Sequence, residues 1–100
     1  MIRIVTRLAV APKNRRKVAE NAVELVRLFE KHGLRSEGVF ENFAESEIIH
    51  VWSAADMTAY DAATLRLRTD PEFLSFAAGA AEPIVSERKE YWRAIAAARA

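Results

Sequence analysis

SEGVFENFAESEIIHVWS, residues Ser36–Ser53, is the stretch on which the fold turns. Two segments within it, Ser36–Phe43 and Glu47–Ser53, are rich in Val, Ile, Phe and Trp, and the small, polar residues Ala44–Ser46 separate them. That pattern predicts a β-hairpin. In its second arm Ile48, His50 and Trp52 fall on one face while Ile49 and Val51 fall on the other, because successive strand side chains alternate. A strand that is apolar on both faces belongs in the interior of a sheet.

Upstream, Ile2, Ile4, Leu8 and Val10 share one parity while Arg3 and Arg7 share the other, which predicts a strand over Ile2–Val10 with one buried face. Pro12 breaks it. From Lys13 to His32 the apolar residues Val18, Ala22, Leu25, Val26 and Phe29 recur at spacings of three and four, an amphipathic helix closed by Gly33. Its outer face offers Arg16 with Glu20 and Glu24 with Arg27 as ion pairs. Downstream, Asp56 is suited to cap a second helix with Met57, Tyr60, Thr64 and Leu67 on one stripe. Asp70 and Pro71 restart it, with Phe73, Leu74, Ala77 and Ala80 facing inward and Pro83 at its end.

The last segment, Ile84–Ala100, fits two patterns. Ile84, Arg88, Tyr91, Trp92 and Ile95 suit a helix, Val85, Tyr91 and Ile95 share a strand parity, and the periodicity slightly favours the helix. The alanine-rich tail is expected to fray. If the segment is a strand, the order is βαββαβ, an α+β ferredoxin-like arrangement with a four-stranded antiparallel sheet and both helical regions on one face. The other face then needs cover, and a second copy of the chain is the economical one.

The chain has 100 residues, 15 Lys+Arg against 14 Asp+Glu, 51% hydrophobic residues and no cysteine. Its length predicts one domain over 1–100, too small to enclose a large cavity unaided. A net charge of +1 gives no field to attract nucleic acid or an anionic membrane, so neither is expected as a partner. The longest uncharged apolar stretch, Phe73–Ala81, has nine residues, about half of what a membrane span requires. Arg3 and Arg7 interrupt the N-terminal apolar residues, unlike the continuous core of a secretory signal, which predicts a cytoplasmic protein. Without cysteine, disulfides, thiolate metal sites and thiol nucleophiles all fall away.

His50 and Trp52, on the same face of one strand, are the pair of greatest chemical interest. His50 can accept a proton or a ligand hydrogen bond near neutral pH, and Trp52 can form a flat wall for an aromatic molecule. The competing reading is a satisfied core histidine beside a core tryptophan. His32 and His50 sit on different elements without metal-ligand spacing, so no metal is expected. His32 suits a helix C-terminus, where the dipole favours a cation. Lys13, Arg15, Arg16 and Lys17 open a helix where cations are disfavoured, which points either to a bound anion or to side chains that extend into solvent and pair with Glu20 or with residues of another element. Gly33, Gly38 and Gly79 are too dispersed for a phosphate loop, and no serine sits in a nucleophile elbow. Phe73, Phe76, Tyr60 and Met57 either fill the core or line a small apolar pocket.

The order of elements, HVW at His50–Trp52, DPEF at Asp70–Phe73, Phe76, and PIVSE at Pro83–Glu87 resemble the NIPSNAP family over nearly the whole chain. The resemblance implies a dimeric α/β barrel in which two ferredoxin-like subunits pack sheet against sheet. It makes the last segment a fourth strand, about Val85–Ala94. The family has no agreed reaction. Its superfamily includes antibiotic-biosynthesis-type monooxygenases that oxidise aromatic polyketides without metal or bound flavin, using His, Trp, Asn and Arg side chains in a cavity between sheet and helices. By that resemblance His50 is the candidate catalytic base, and Trp52, Asn42, Tyr60, Arg66, Phe73 and Phe76 are candidate ligand-binding residues, with no cofactor. Two functions are therefore carried forward. One is a homodimer with a pocket for a small apolar or aromatic molecule, extending to cofactor-independent oxygenation. The other is a non-catalytic oligomerisation or protein-interaction module whose interior is packed solid.

Overall fold

The computed structural model describes residues 1–80 and 84–95. The elements follow one another as β1 (Ile2–Val10), a 3-10 turn (Pro12–Asn14), α1 (Arg15–Lys31), β2 (Arg35–Glu41), β3 (Glu47–Ala54), α2 (Met57–Arg68), α3 (Pro71–Ala80) and β4 (Ile84–Arg93). The four strands form one antiparallel sheet in the order β2-β3-β1-β4, the α+β ferredoxin-like arrangement. The slight helical preference of the last segment is overturned, and the fourth strand that the resemblance implied at about Val85–Ala94 is present. Ile84–Arg93 is extended, and it pairs along β1 from Ile2↔Arg93 to Val10↔Ile84 because that edge of β1 is otherwise unpaired. Pro83 and the alanine tail beyond Ile95 lie outside the described residues.

On β1, Ile4, Thr6, Leu8 and Val10 are buried beneath the helices while Arg3, Val5, Arg7 and Ala9 face away, as their parity requires. Ile48, His50 and Trp52 of β3 are buried on the same side, and β3 lies inside the sheet. On α1, Val18, Ala22 and Leu28 are buried, and the predicted pairs Arg16–Glu20 and Arg27–Glu24 both form. Two of the basic residues at its start pair within the chain: Arg16 with Glu20, and Arg15 with Glu41 at 2.9 Å and Glu45 at 3.6 Å. The helix closes through Leu34 N–H donating to Phe29 O and Gly33 N–H to Glu30 O, with Gly33 at φ +94° and Leu34 buried beneath the last turn. Glycine is needed there because a side chain disfavours the left-handed conformation.

Two inward stripes differ from their sequence reading. On α2 the buried residues are Tyr60, Ala63 and Leu67, while Met57 is 43% exposed. On α3 Leu74 is 51% exposed, and Phe73, Phe76, Ala77 and Ala80 take the half-buried positions. Both helices lean on the sheet through a narrower stripe than their composition offered.

The junction of α1 with α3 rests on Asp70. One of its oxygens accepts from Glu72 N–H and caps α3; the other contacts His32 Nε2 at 2.7 Å and Lys31 Nζ at 2.9 Å. His32, and then Lys31, hold the Asp70 carboxyl well below the usual carboxylate range. His32 thus does more than end a helix, because it ties α1 to the start of α3. Asp56 caps α2 as anticipated, accepting from Ala59 N–H at 2.8 Å. Asp56→Ala is expected to cost about 1 kcal/mol, a fall of roughly 4–8 °C in Tm by thermal denaturation. An unchanged Tm would show that water replaces this cap without loss.

Candidate functional site

Between the buried face of the sheet and the three helices lies a cavity of about 220 Å³. Its floor is built from cross-strand rows. Trp52 of β3 lies beside Ile4 of β1 and then Tyr91 of β4; His50 beside Thr6 and then Lys89; Ile48 beside Leu8 and then Glu87. Leu25 and Phe29 of α1, Tyr60 of α2 and Phe73 and Phe76 of α3 close it from above. Trp52 is fixed against Phe29, with ring centroids 4.3 Å apart, and Phe29 meets Phe73 at 6.1 Å. At one end Tyr60 meets Tyr91 edge to face at 5.7 Å. Hydrogen bonding toward Tyr60, followed by desolvation, raises the Tyr91 phenol above its ordinary value.

His50 is 1% exposed, and its ring meets Trp52 edge-on with centroids 4.5 Å apart. Its Nε2 has no hydrogen-bond partner among the described residues. Burial pushes the imidazole down to about 4, because the protonated form would lose its hydration without gaining a counter-charge. At neutral pH the ring is therefore neutral, with one nitrogen able to accept a hydrogen bond. A buried polar atom without a partner is uncommon and costs stability. Here it belongs to a residue that lines a largely apolar cavity.

Of the residues singled out from the sequence, His50, Trp52, Tyr60, Phe73 and Phe76 come together around the cavity. Asn42 and Arg66 are engaged elsewhere. The Asn42 side-chain oxygen accepts from Ser46 N–H and Glu47 N–H, each at 3.0 Å, and organises the β2–β3 turn. Arg66 donates to the carbonyl of His32 at 2.6 Å, supporting the end of α1. Missing from the sequence reading were Thr6, Asn21, Glu87 and Lys89, which supply polar groups to the lining. Thr6 carried a signal, since it is the polar residue at a buried parity of β1. Glu87 and Lys89 carried none until the register of β4 was known. Among the described residues no group of three His, Cys, Asp or Glu side chains is placed to hold a metal ion. No helix among them is long and apolar enough to cross a membrane.

No protein-family model matches the chain, and no curated protein is similar to it. Solved structures are. An uncharacterized NIPSNAP domain protein from Burkholderia xenovorans superposes with a TM-score of 0.89 over 100% of both chains, at 13% identity. A NIPSNAP family protein from Agrobacterium tumefaciens gives 0.83 at 14% identity, covering 94% of this chain and 86% of its own. An antibiotic biosynthesis monooxygenase gives 0.72 at 13% identity, covering 96% and 100% respectively. The class defined by fold is thus the ferredoxin-like α+β domain shared by these proteins. Within it, this chain has the fold of the NIPSNAP domain proteins.

Proposed function

We propose that the protein binds a small, flat, largely apolar molecule carrying a hydrogen-bond donor in the cavity between sheet and helices, and that two copies associate through the open sheet face. The unpartnered Nε2 of buried His50, a residue that lines that cavity, carries this reading. A ligand hydroxyl donating to it satisfies an acceptor that otherwise costs about 1–3 kcal/mol, while Trp52, Phe29 and Phe73 contact the apolar body. A packed interaction module would leave no such space.

Holding is preferred here to deprotonating: burial disfavours the protonated imidazole, so His50 is read as the acceptor that holds the ligand's proton rather than as the base that removes it. Oxygen consumption with anthrols and quinols is accordingly expected to be equally slow in wild type and His50→Leu; a rate abolished in the variant would restore the catalytic assignment. For association, the open face offers half-buried Val5, Ile49 and Val51 with exposed Phe40 and Trp92, while Arg7 is already neutralised by Glu90 at 2.8 Å and Glu47 at 3.2 Å. Light scattering is expected to return twice the chain mass, and a monomer at tens of micromolar would refute the dimer.

The binding experiment compares naphthol with its methyl ether by calorimetry. The ether lacks the donor and is expected to bind about tenfold more weakly. In His50→Leu the two should bind alike. Equal affinities for wild type would overturn the role of His50.

A further inference from the structure

The cavity floor is not uniformly apolar. Register places Thr6 of β1 directly beside His50 of β3, and Lys89 of β4 directly beside Thr6. The three side chains form one polar row across the sheet, flanked by the rows of Trp52 with Ile4 and of Ile48 with Leu8. The row changes character along its length. His50 is 1% exposed and Thr6 is 9% exposed, whereas the Lys89 side chain is 47% exposed on the edge strand. It leads from the buried interior to the exposed edge strand.

We propose that this row reads a ligand with two ends: a hydrogen-bond donor held by His50 and an anionic group, of the carboxylate class, held by Lys89. This rests on the binding reading above and adds the charge at the far end. Two strand spacings separate His50 from Lys89, roughly 10 Å, which matches the long axis of two fused aromatic rings substituted at both ends. Thr6, between them, supplies a hydroxyl where the ring edges pass. Glu87, on the same face of β4, approaches Lys89 only to 4.0 Å. That loose contact is half in solvent, so a carboxylate positioned by the row can replace it. Glu87 also repels a second negative charge, which favours a monoanion over a phosphate dianion beside Lys89.

The test uses calorimetry with three probes: naphthol, naphthoate, and a hydroxynaphthoate whose hydroxyl and carboxylate lie at opposite ends. The hydroxynaphthoate is expected to bind wild type about three- to fivefold more tightly than naphthol, the scale of a half-exposed ion pair. That advantage should disappear in Lys89→Gln and survive in Arg68→Gln, which removes an exposed charge from α2. It should also shrink as salt is raised, as screening demands. If naphthol binds but the carboxylate adds nothing, or its advantage persists in Lys89→Gln, the anion subsite is refuted while the cavity reading stands. If none of the three probes binds, both fail together. Naphthoate separates the two ends: it should keep its sensitivity to Lys89→Gln and be indifferent to His50→Leu, and the reverse pattern would overturn the assignment of ends.

Discussion

Trp52→Ala is expected to lower folding stability by about 3–5 kcal/mol, the usual range for deleting a buried aromatic. Trp52 is the largest fully buried side chain, 1% exposed, and it joins Ile4, Leu34, Tyr60, Ala63 and Leu67 in one cluster. Its ring also supports Phe29 from α1 and the edge of His50. The space it vacates would merge with the cavity beside it, leaving α1 and the sheet few atoms with which to close the gap. Single domains are stable by only about 5–15 kcal/mol, so this one truncation threatens the native state, and Tm should fall by on the order of 20 °C. Urea denaturation checks it: the midpoint should drop with the slope unchanged. Trp52→Phe, which keeps an aromatic plate against Phe29, should cost roughly half as much. A loss below about 1 kcal/mol for the alanine variant would mean that Trp52 is not the keystone of the core.

Acid should destabilise the protein through His50. In the unfolded chain an imidazole titrates near 6.5, whereas burial holds His50 at about 4 in the fold. Between those values the unfolded state carries a proton that the folded state does not, so stability falls as pH drops from about 6.5 to about 4 and is insensitive to this group above 6.5. The total amounts to about 3 kcal/mol. His50→Leu should remove this slope and leave stability at pH 7 equal or slightly higher, since it deletes a buried acceptor without a partner. His32, Asp70, Glu87 and Lys89 are common to both proteins, so subtracting one pH profile from the other isolates His50. Below the ordinary carboxylate range Asp70 adds a further loss, because His32 and Lys31 hold its ionised form in the fold. Urea midpoints between pH 4 and pH 8 decide the matter. Parallel profiles for wild type and His50→Leu would show that His50 is solvated in the native state. Saturating naphthol should raise stability at pH 7 in wild type and much less in the variant.

The elements that were legible are those whose signal is local. β1 follows from the parity of Ile2, Ile4, Leu8 and Val10, α1 from its three-and-four spacing and Gly33, and the caps of α2 and α3 from Asp56 and Asp70. The shared face of His50 and Trp52 was likewise legible, because strand alternation needs no partner. The signal failed where partners decide. Met57 and Leu74 fit an apolar stripe yet stay exposed, since neither helix meets the sheet at those positions. Asn42 and Arg66 have side chains suited to a binding site, but backbone groups near them claimed those side chains first.

Local order along the chain therefore determined the sheet's inner strand, the helices with their caps, and the imidazole–indole pair. Tertiary structure alone decided three things. Ile84–Arg93, ambiguous by periodicity, became a strand because the free edge of β1 offered it backbone hydrogen-bond partners along its length, with one register shift between Ala9 and Val10. His50 was left buried with its Nε2 unpartnered because the residues that all three helices bring to the cavity offer that atom no hydrogen-bond partner. Lys89 joined Thr6 and His50 in one row because register, which depends on both strands at once, sets which side chains are neighbours across a sheet.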